Sequence, residues 1–246
     1  MSDISVPRFH WRILQEGKLS ISLDRKLVPG GGYCTVSLIW PQDDPPSPEN
    51  AVLIDPCFTP AGYQRALHEA ESLGLSLAEL ERVFITHLHG DHMPSLPRYA
   101  SGARFASPDL VRFFHAPGVE AVHCPGHAPD LHSLVFRSGG DDEVWIVGDA
   151  VLNQEWLEAW AYYWPNGYGP YEVVETWHSV ARILSRADVI VPGHGPPIRV
   201  DRALLVRLIA AFPAAPYADR CPDVGAALRA RLADVDRNLL EKGPRP

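Results

Sequence analysis

The sequence predicts an α/β fold with a parallel strand pair covered by helices, and three observations carry that prediction. A strand, helix, strand succession runs through residues 51–86, and an amphipathic helical pattern fills 170–184. Apolar runs at 51–54, 83–85, 143–147 and 188–191 each lead, at their C-terminal ends, into an aspartate or histidine in a short turn. Ligand sites in α/β sheets gather at such strand ends.

Taken in order, residues 12–23 read as a half-buried strand, with Leu19, Ile21 and Leu23 alternating against polar neighbours. Residues 33–40 and 51–55 read as two further strands. The proline-rich stretch 41–48 between them cannot donate to a ladder and is an exposed hairpin loop. The second of these strands ends on Asp55, which either orients a metal ligand or caps the turn. A helix is expected over 61–73, a short helical piece over 77–80 and a strand over 82–86. Ser107-Pro108-Asp109 resembles a helix start, with the helix running to about residue 114. A short strand at 120–123 runs into a Pro/Gly turn with His127 at its apex. Residues 133–137 and 143–147 form a hairpin through Gly139-Gly140-Asp141-Asp142. After the helix at 170–184 and the strand at 188–191, residues 201–246 are a helical extension of one domain spanning 1–246.

The chemistry concentrates in Thr86-His87-Leu88-His89-Gly90-Asp91-His92, four candidate ligands within six residues. Imidazole and carboxylate suit zinc, iron or manganese, and crowding these groups without a cation costs desolvation for little packing in return. In an extended turn His87 and His89 point the same way and grip one ion, while Asp91 and His92 are free to face a second. His127, Asp149 and His194 follow at later turns. Seven donors are what two adjacent ions need, with one carboxylate bridging.

Composition narrows the function. The chain has 246 residues, is 46% hydrophobic and carries a formal charge of −8, without a dense Lys/Arg run. This fits a globular protein and argues against a dedicated nucleic-acid surface. No segment reaches the roughly 18 apolar residues of a membrane span, and the first residues carry no secretory pattern, so a cytoplasmic location is expected. Cys34, Cys57, Cys124 and Cys221 lack C-x-x-C spacing and are read as reduced and mostly buried, with Cys124 either a core thiol or part of the site wall. Seven aromatic residues between Trp156 and Tyr171, mixed with turn residues, read either as a substrate-pocket wall or lid, or as an aromatic core or homodimer contact.

The stretches Thr86–His92, Pro125-Gly126-His127, Gly148-Asp149-Ala150 and Pro192-Gly193-His194-Gly195 together resemble the ordered motifs of the metallo-β-lactamase fold superfamily. The resemblance covers roughly residues 33–197. It implies an αββα sandwich of two mixed β-sheets flanked by helices. It also implies two divalent ions, zinc first, with iron or manganese as alternatives. His87, His89 and His127 would hold one, Asp91, His92 and His194 the other, and Asp149 both. Asp55 stands where the family has an aspartate after an early strand. The commonest zinc-dependent β-lactamases carry cysteine where this chain has Asp149, so antibiotic hydrolysis is not the expected role. Where many members continue Thr-Pro-Gly-His, this chain reads Ala128-Pro129-Asp130-Leu131-His132, making His132 either a site contact or a surface histidine.

The expected activity is hydrolysis of a small ester, lactone or thioester by a metal-bridging hydroxide, with Asp91 accepting a proton. Tyr162, Tyr163 or Tyr168, beside Trp164, would reach the oxyanion. Phosphodiester hydrolysis and iron-dependent thiol or persulfide oxidation are the alternatives on the same fold.

Overall fold

The computed structural model describes residues 6–93, 104–106, 117–162 and 169–242. Its strands are β1 (Arg8–Gln15), β2 (Val36–Pro41), β3 (Val52–Ile54), β4 (Arg82–Phe84), β5 (Arg104–Ala106), β6 (Val119–His123), β7 (His132–Ser138), β8 (Glu143–Gly148), β9 (Val189–Pro192) and β10 (Ile198–Arg199). Its helices are α1 (Pro60–Ser72), α2 (Gln154–Glu158), α3 (Pro170–Arg186), α4 (Arg202–Ala211) and α5 (Pro222–Lys242). The hydrogen-bonded order is β10-β9-β8-β7-β1-β2-β3-β4-β5, with β6 pairing off the path with β7. The two halves meet at the parallel pairing of Arg8 with Arg137 and Phe9 with Ser138.

Strand alternation folds this order into layers. Ile39, Val52, Ile54 and Phe84 from one half pack against Leu134, Phe136, Val144, Ile146, Val189 and Val191 from the other. The opposite faces are apolar too. Val36, Leu38, Trp40 and Leu53 bury against Ala66 and Ala70 of α1. On the far side Val135, Trp145, Val147 and Ile190 bury against α3, with Leu204, Leu208, Val224 and Leu228 of α4 and α5 in the same cluster. A strand apolar on both faces must be covered on both, which produces helix, sheet, sheet, helix. This is the sandwich that the motif resemblance implies.

Strands β3 and β4 are parallel, and α1 is the crossover between them. Thr59 caps α1 by accepting from Gly62 N, and Pro60 occupies its first turn. Several local readings need correction. Residues 12–23 do not form one strand: β1 ends at Gln15, and residues 18–33 form a hairpin with isolated bridges Lys18–Tyr33 and Ile21–Leu27. Residues 77–79 make a turn, too short for a helix. The helix expected at 107–114 lies outside the described residues.

The cysteine reading also changes. Cys34 and Cys57 form a disulfide, while Cys124 and Cys221 are free and buried. The cause is topological: β2 and β3 are antiparallel, so the residues before one and after the other stand side by side. Among the described residues no helix is long and apolar enough to cross a membrane.

Candidate metal centre

The seven predicted donors converge at one edge of the sandwich because the strand ends that carry them do. The turn after β4 supplies His87, His89, Asp91 and His92; the turn before β7 supplies His127; the turns after β8 and β9 supply Asp149 and His194. Two backbone approaches need glycine. Gly148 has φ +51, and a Cβ there would strike Thr86 Oγ1; a Cβ on Gly193 would strike Asp149 Oδ1. Gly193 N also donates to Gly148 O at 2.9 Å, stitching the two turns together.

The donors fall into two groups. One ligand atom each from His87, His89, His127 and Asp149 lies within 4.8 Å of the others, and the same holds for Asp91, His92, Asp149 and His194. Asp149 belongs to both: Oδ1 stands 3.3 Å from His92 Nε2 and 3.2 Å from His194 Nε2, and Oδ2 stands 3.3 Å from His127 Nε2. His89 Nδ1 lies 3.0 Å from His127 Nε2. His87 Nε2, His92 Nε2 and Asp149 Oδ1 are buried without a hydrogen-bond partner, and buried polar atoms are rarely left so. Orphaned buried donor atoms gathered in two overlapping groups fit divalent cations.

Asp55 orders the histidines of both groups. Its φ is +47, an unusual backbone region in which aspartate is better tolerated than most residues, and the residue is buried. Oδ1 accepts from Thr86 N at 2.8 Å; Oδ2 accepts from Thr86 Oγ1 at 2.7 Å and from His92 Nδ1 at 2.9 Å. With its proton given to Asp55, the Thr86 hydroxyl is left to accept from His87 Nδ1 at 3.1 Å. In its neutral form each histidine therefore presents an Nε2 lone pair to the cluster, the arrangement metal-binding histidines require. His194 is fixed in the same way, donating from Nδ1 to Tyr33 O at 3.0 Å.

Charge and burial set the protonation of the cluster. Burial, reinforced by His92, holds the His87 pKa well below the usual histidine value, and burial lowers that of His127 to about 4. For His92 burial also disfavours charge, but Asp55 and Asp149 outweigh it and hold its pKa well above normal. His194 is raised against its burial by Asp149. Burial would raise Asp149, yet His194, His92 and His127 hold it well below the carboxylate range.

The other predicted residues scatter. Tyr162 lines a cavity together with His127 and Asp149. The His132 ring lies against His123, with Nδ1 donating to Asp130 O, outside both donor groups. Tyr163, Trp164 and Tyr168 lie outside the described residues. Of the described part of the aromatic stretch, Trp156 sits on α2, and Trp160 is buried in the core against Trp177 and Phe212.

Two contributors escaped the sequence reading. Thr86 needed only its place beside His87 to be suspected. Asp130 accepts at Oδ2 from Leu88 N, between His87 and His89, at 3.1 Å. His132 N adds a 2.9 Å bond to Thr86 O, so the His127 turn is tied to the first ligand segment. The signal for Asp130 was its departure from Thr-Pro-Gly-His.

A four-layer sandwich with paired His/Asp clusters at its strand ends defines a metallo-hydrolase class. Residues 29–107 match the profile of the metallo-β-lactamase superfamily. The chain is 30% identical over 165 residues to metallo-beta-lactamase domain-containing protein 1 of Xenopus laevis, covering 61% of this chain and 68% of the relative. It is 28% identical over 159 residues to an atrochrysone carboxyl ACP thioesterase of Aspergillus fumigatus, covering 53% of this chain but only 32% of the relative. Among solved structures, a metallo-β-lactamase family protein of Thermus thermophilus superposes with a TM-score of 0.50 at 18% identity, covering 95% of this chain and 94% of its own. A quorum-quenching N-acyl homoserine lactone lactonase does so with a TM-score of 0.52 at 16% identity, covering 78% and 93%. The chain belongs to the metallo-β-lactamase superfamily and is a metallo-hydrolase of that superfamily.

Proposed function

We propose that this enzyme uses two divalent ions to hydrolyse a small ester, lactone or thioester. His87, His89 and His127 would hold one ion, Asp91, His92 and His194 the other, and Asp149, common to both donor groups, would serve each. One observation carries the reading: the Asp149 carboxylate is shared between the two donor groups, with one oxygen toward His92 and His194 and the other toward His127. The lactonase among its fold neighbours and the thioesterase among its relatives support the substrate class.

When bound, such ions lower the pKa of water toward neutrality and polarise a carbonyl. The protein's part is to set the tautomer of the ligand histidines and fix their rings. Asp55 and Thr86 do this for His87 and His92, and the Tyr33 carbonyl does it for His194. Asp91, with its side chain 47% exposed and Oδ2 3.6 Å from His194 Nε2, is the carboxylate that accepts a proton from water at the open side. Zinc is the proposed ion, since this all-nitrogen and oxygen set suits it, as it does iron and manganese.

The test is a metal-loaded preparation assayed on carbonyl esters, lactones and thioesters, with metal content measured alongside. Two ions per chain and turnover of one of these classes are expected. Inactivity on all three would refute the reading. Faster turnover of bis-p-nitrophenyl phosphate would replace it with phosphodiester hydrolysis, and one iron per chain with oxygen consumption would replace it with an oxidation. We keep the cytoplasm as the proposed compartment and one domain over 1–246 as the proposed organisation. The Cys34–Cys57 disulfide weighs against the first, because such bonds persist chiefly in oxidising compartments.

A further inference from the structure

His127 and Asp149 form part of the wall of a narrow cavity whose remaining surface is chiefly apolar. Val151, Trp156, Leu157, Trp177 and Val180 supply most of it, and Tyr162 stands among them. The cavity leaves about 20 Å³ in which a water-sized sphere can move. So confined a space takes only a few heavy atoms.

Its walls are held from behind. Trp177 and Val180 lie on the 17-residue helix α3, and Trp177 Nε1 donates to Pro216 O at 2.8 Å. Trp156 lies on α2, where its backbone N–H donates to the Asn153 side-chain cap at 3.0 Å. The Trp160 ring meets Trp177 edge-on at 5.2 Å. In such close packing a wall does not retreat to admit a larger group without cost.

We infer that this cavity is the chain-length filter of the site. It takes one short, unbranched, uncharged apolar arm of the substrate, about two carbons beyond the reacting carbonyl or its leaving atom, and turns away longer or branched arms. The inference rests on the proposed hydrolysis, because His127 and Asp149 bring the apolar wall directly to the donor cluster. Chemistry selects the arm: among the described residues the lining offers no charged partner apart from those two, so a charged arm would lose its hydration without compensation. Size selects its length, and the flanking indoles exclude branching.

The test is kcat/KM across two series on the metal-loaded enzyme. One series runs from acetyl to octanoyl with a fixed leaving group; the other holds the acetyl group and lengthens the leaving alcohol or thiol. In one series each added methylene raises kcat/KM about fourfold up to propionyl or its equivalent, and beyond butyryl the value falls at least tenfold. The responding series identifies which side of the substrate enters. Val151→Ala and Leu157→Ala, on different segments, move the optimum up by one or two carbons. Flat profiles in both series, or an optimum that neither variant moves, would overturn the filter and leave the hydrolase reading intact. Tryptophan fluorescence titrated with acetate through octanoate supplies a readout without turnover. A short-chain optimum that shifts in the same variants, in a protein inactive on every ester, would keep the filter and remove the hydrolase reading. Absence of any chain-length dependence in both assays would remove the filter outright.

Discussion

Replacing Asp55 by asparagine tests the second layer of the metal centre with almost no change in volume. The carboxylate accepts three hydrogen bonds, from Thr86 N, Thr86 Oγ1 and His92 Nδ1. Asparagine has one acceptor oxygen and one NH2 donor group. If its oxygen stays with Thr86 N, the NH2 faces the Thr86 hydroxyl and His92 Nδ1. Both must then accept, so the His92 proton moves to Nε2. The Thr86 hydroxyl, now accepting from the NH2, donates to His87 Nδ1 and drives that proton to Nε2 as well. Each histidine then turns an N–H toward the cluster in place of a lone pair. The opposite amide orientation sets an NH2 against the buried Thr86 N–H, at about 1–3 kcal/mol for the unsatisfied donor. Loss of such an orienting partner weakens metal binding about 10- to 100-fold, or roughly 1.4–2.8 kcal/mol. Zinc titration against a competing chelator should therefore show both equivalents weakened in D55N, because Asp55 reaches one histidine in each donor group. Wild-type affinity for both ions would refute the tautomer argument, and weakening of only one would break the Thr86 relay to His87.

Asp130→Ala should weaken zinc binding several-fold by freeing Leu88 N between His87 and His89, while Asp130→Asn, which keeps an acceptor oxygen, restores it; equal loss in both would assign the effect to charge. Acidification should remove the ions in order. His92 and His194, with raised pKa values, surrender their ion to protons first, whereas the group holding His87 and His127, the latter at about 4, keeps its ion to lower pH. Metal content after dialysis across this range checks the order, and simultaneous loss would contradict it. In the metal-free chain, His92 and His194 stabilise the fold below about pH 6.5, and that contribution is lost as pH rises through their raised values. His87 and His127 act oppositely, removing stability as pH falls below about 6.5, a loss that for His127 is complete near its value of about 4. Cys57→Ser opens a covalent loop whose ends are 23 residues apart and should lower stability by about 3 kcal/mol, read by denaturant unfolding. An unchanged midpoint, or two additional reactive thiols in untreated wild-type protein, would show that the pair is reduced.

How much was legible follows from what each part depends on. The candidate ligands were readable because residue type and spacing are local: four donors in six residues after an apolar strand have little alternative use, and a glycine precedes each of the three later ones. Strand alternation and helical periodicity likewise reported the α1 crossover, the β7–β8 hairpin and α3. The aromatic stretch stayed open between pocket wall and core because aromatic content does not say which rings turn inward. Packing against α3 and Phe212 put Trp160 in the core, while Tyr171 stands 72% exposed. The sharing of Asp149, the reach of Asp55 to two histidines, the hold of Asp130 on Leu88 and the Cys34–Cys57 pairing all join segments distant in the chain. Their distances are set by sheet register and by the folding of the two halves onto one core. The sequence by itself determined the chemistry available at the strand ends; only the tertiary structure decided which atoms face one another, because that depends on the whole strand order.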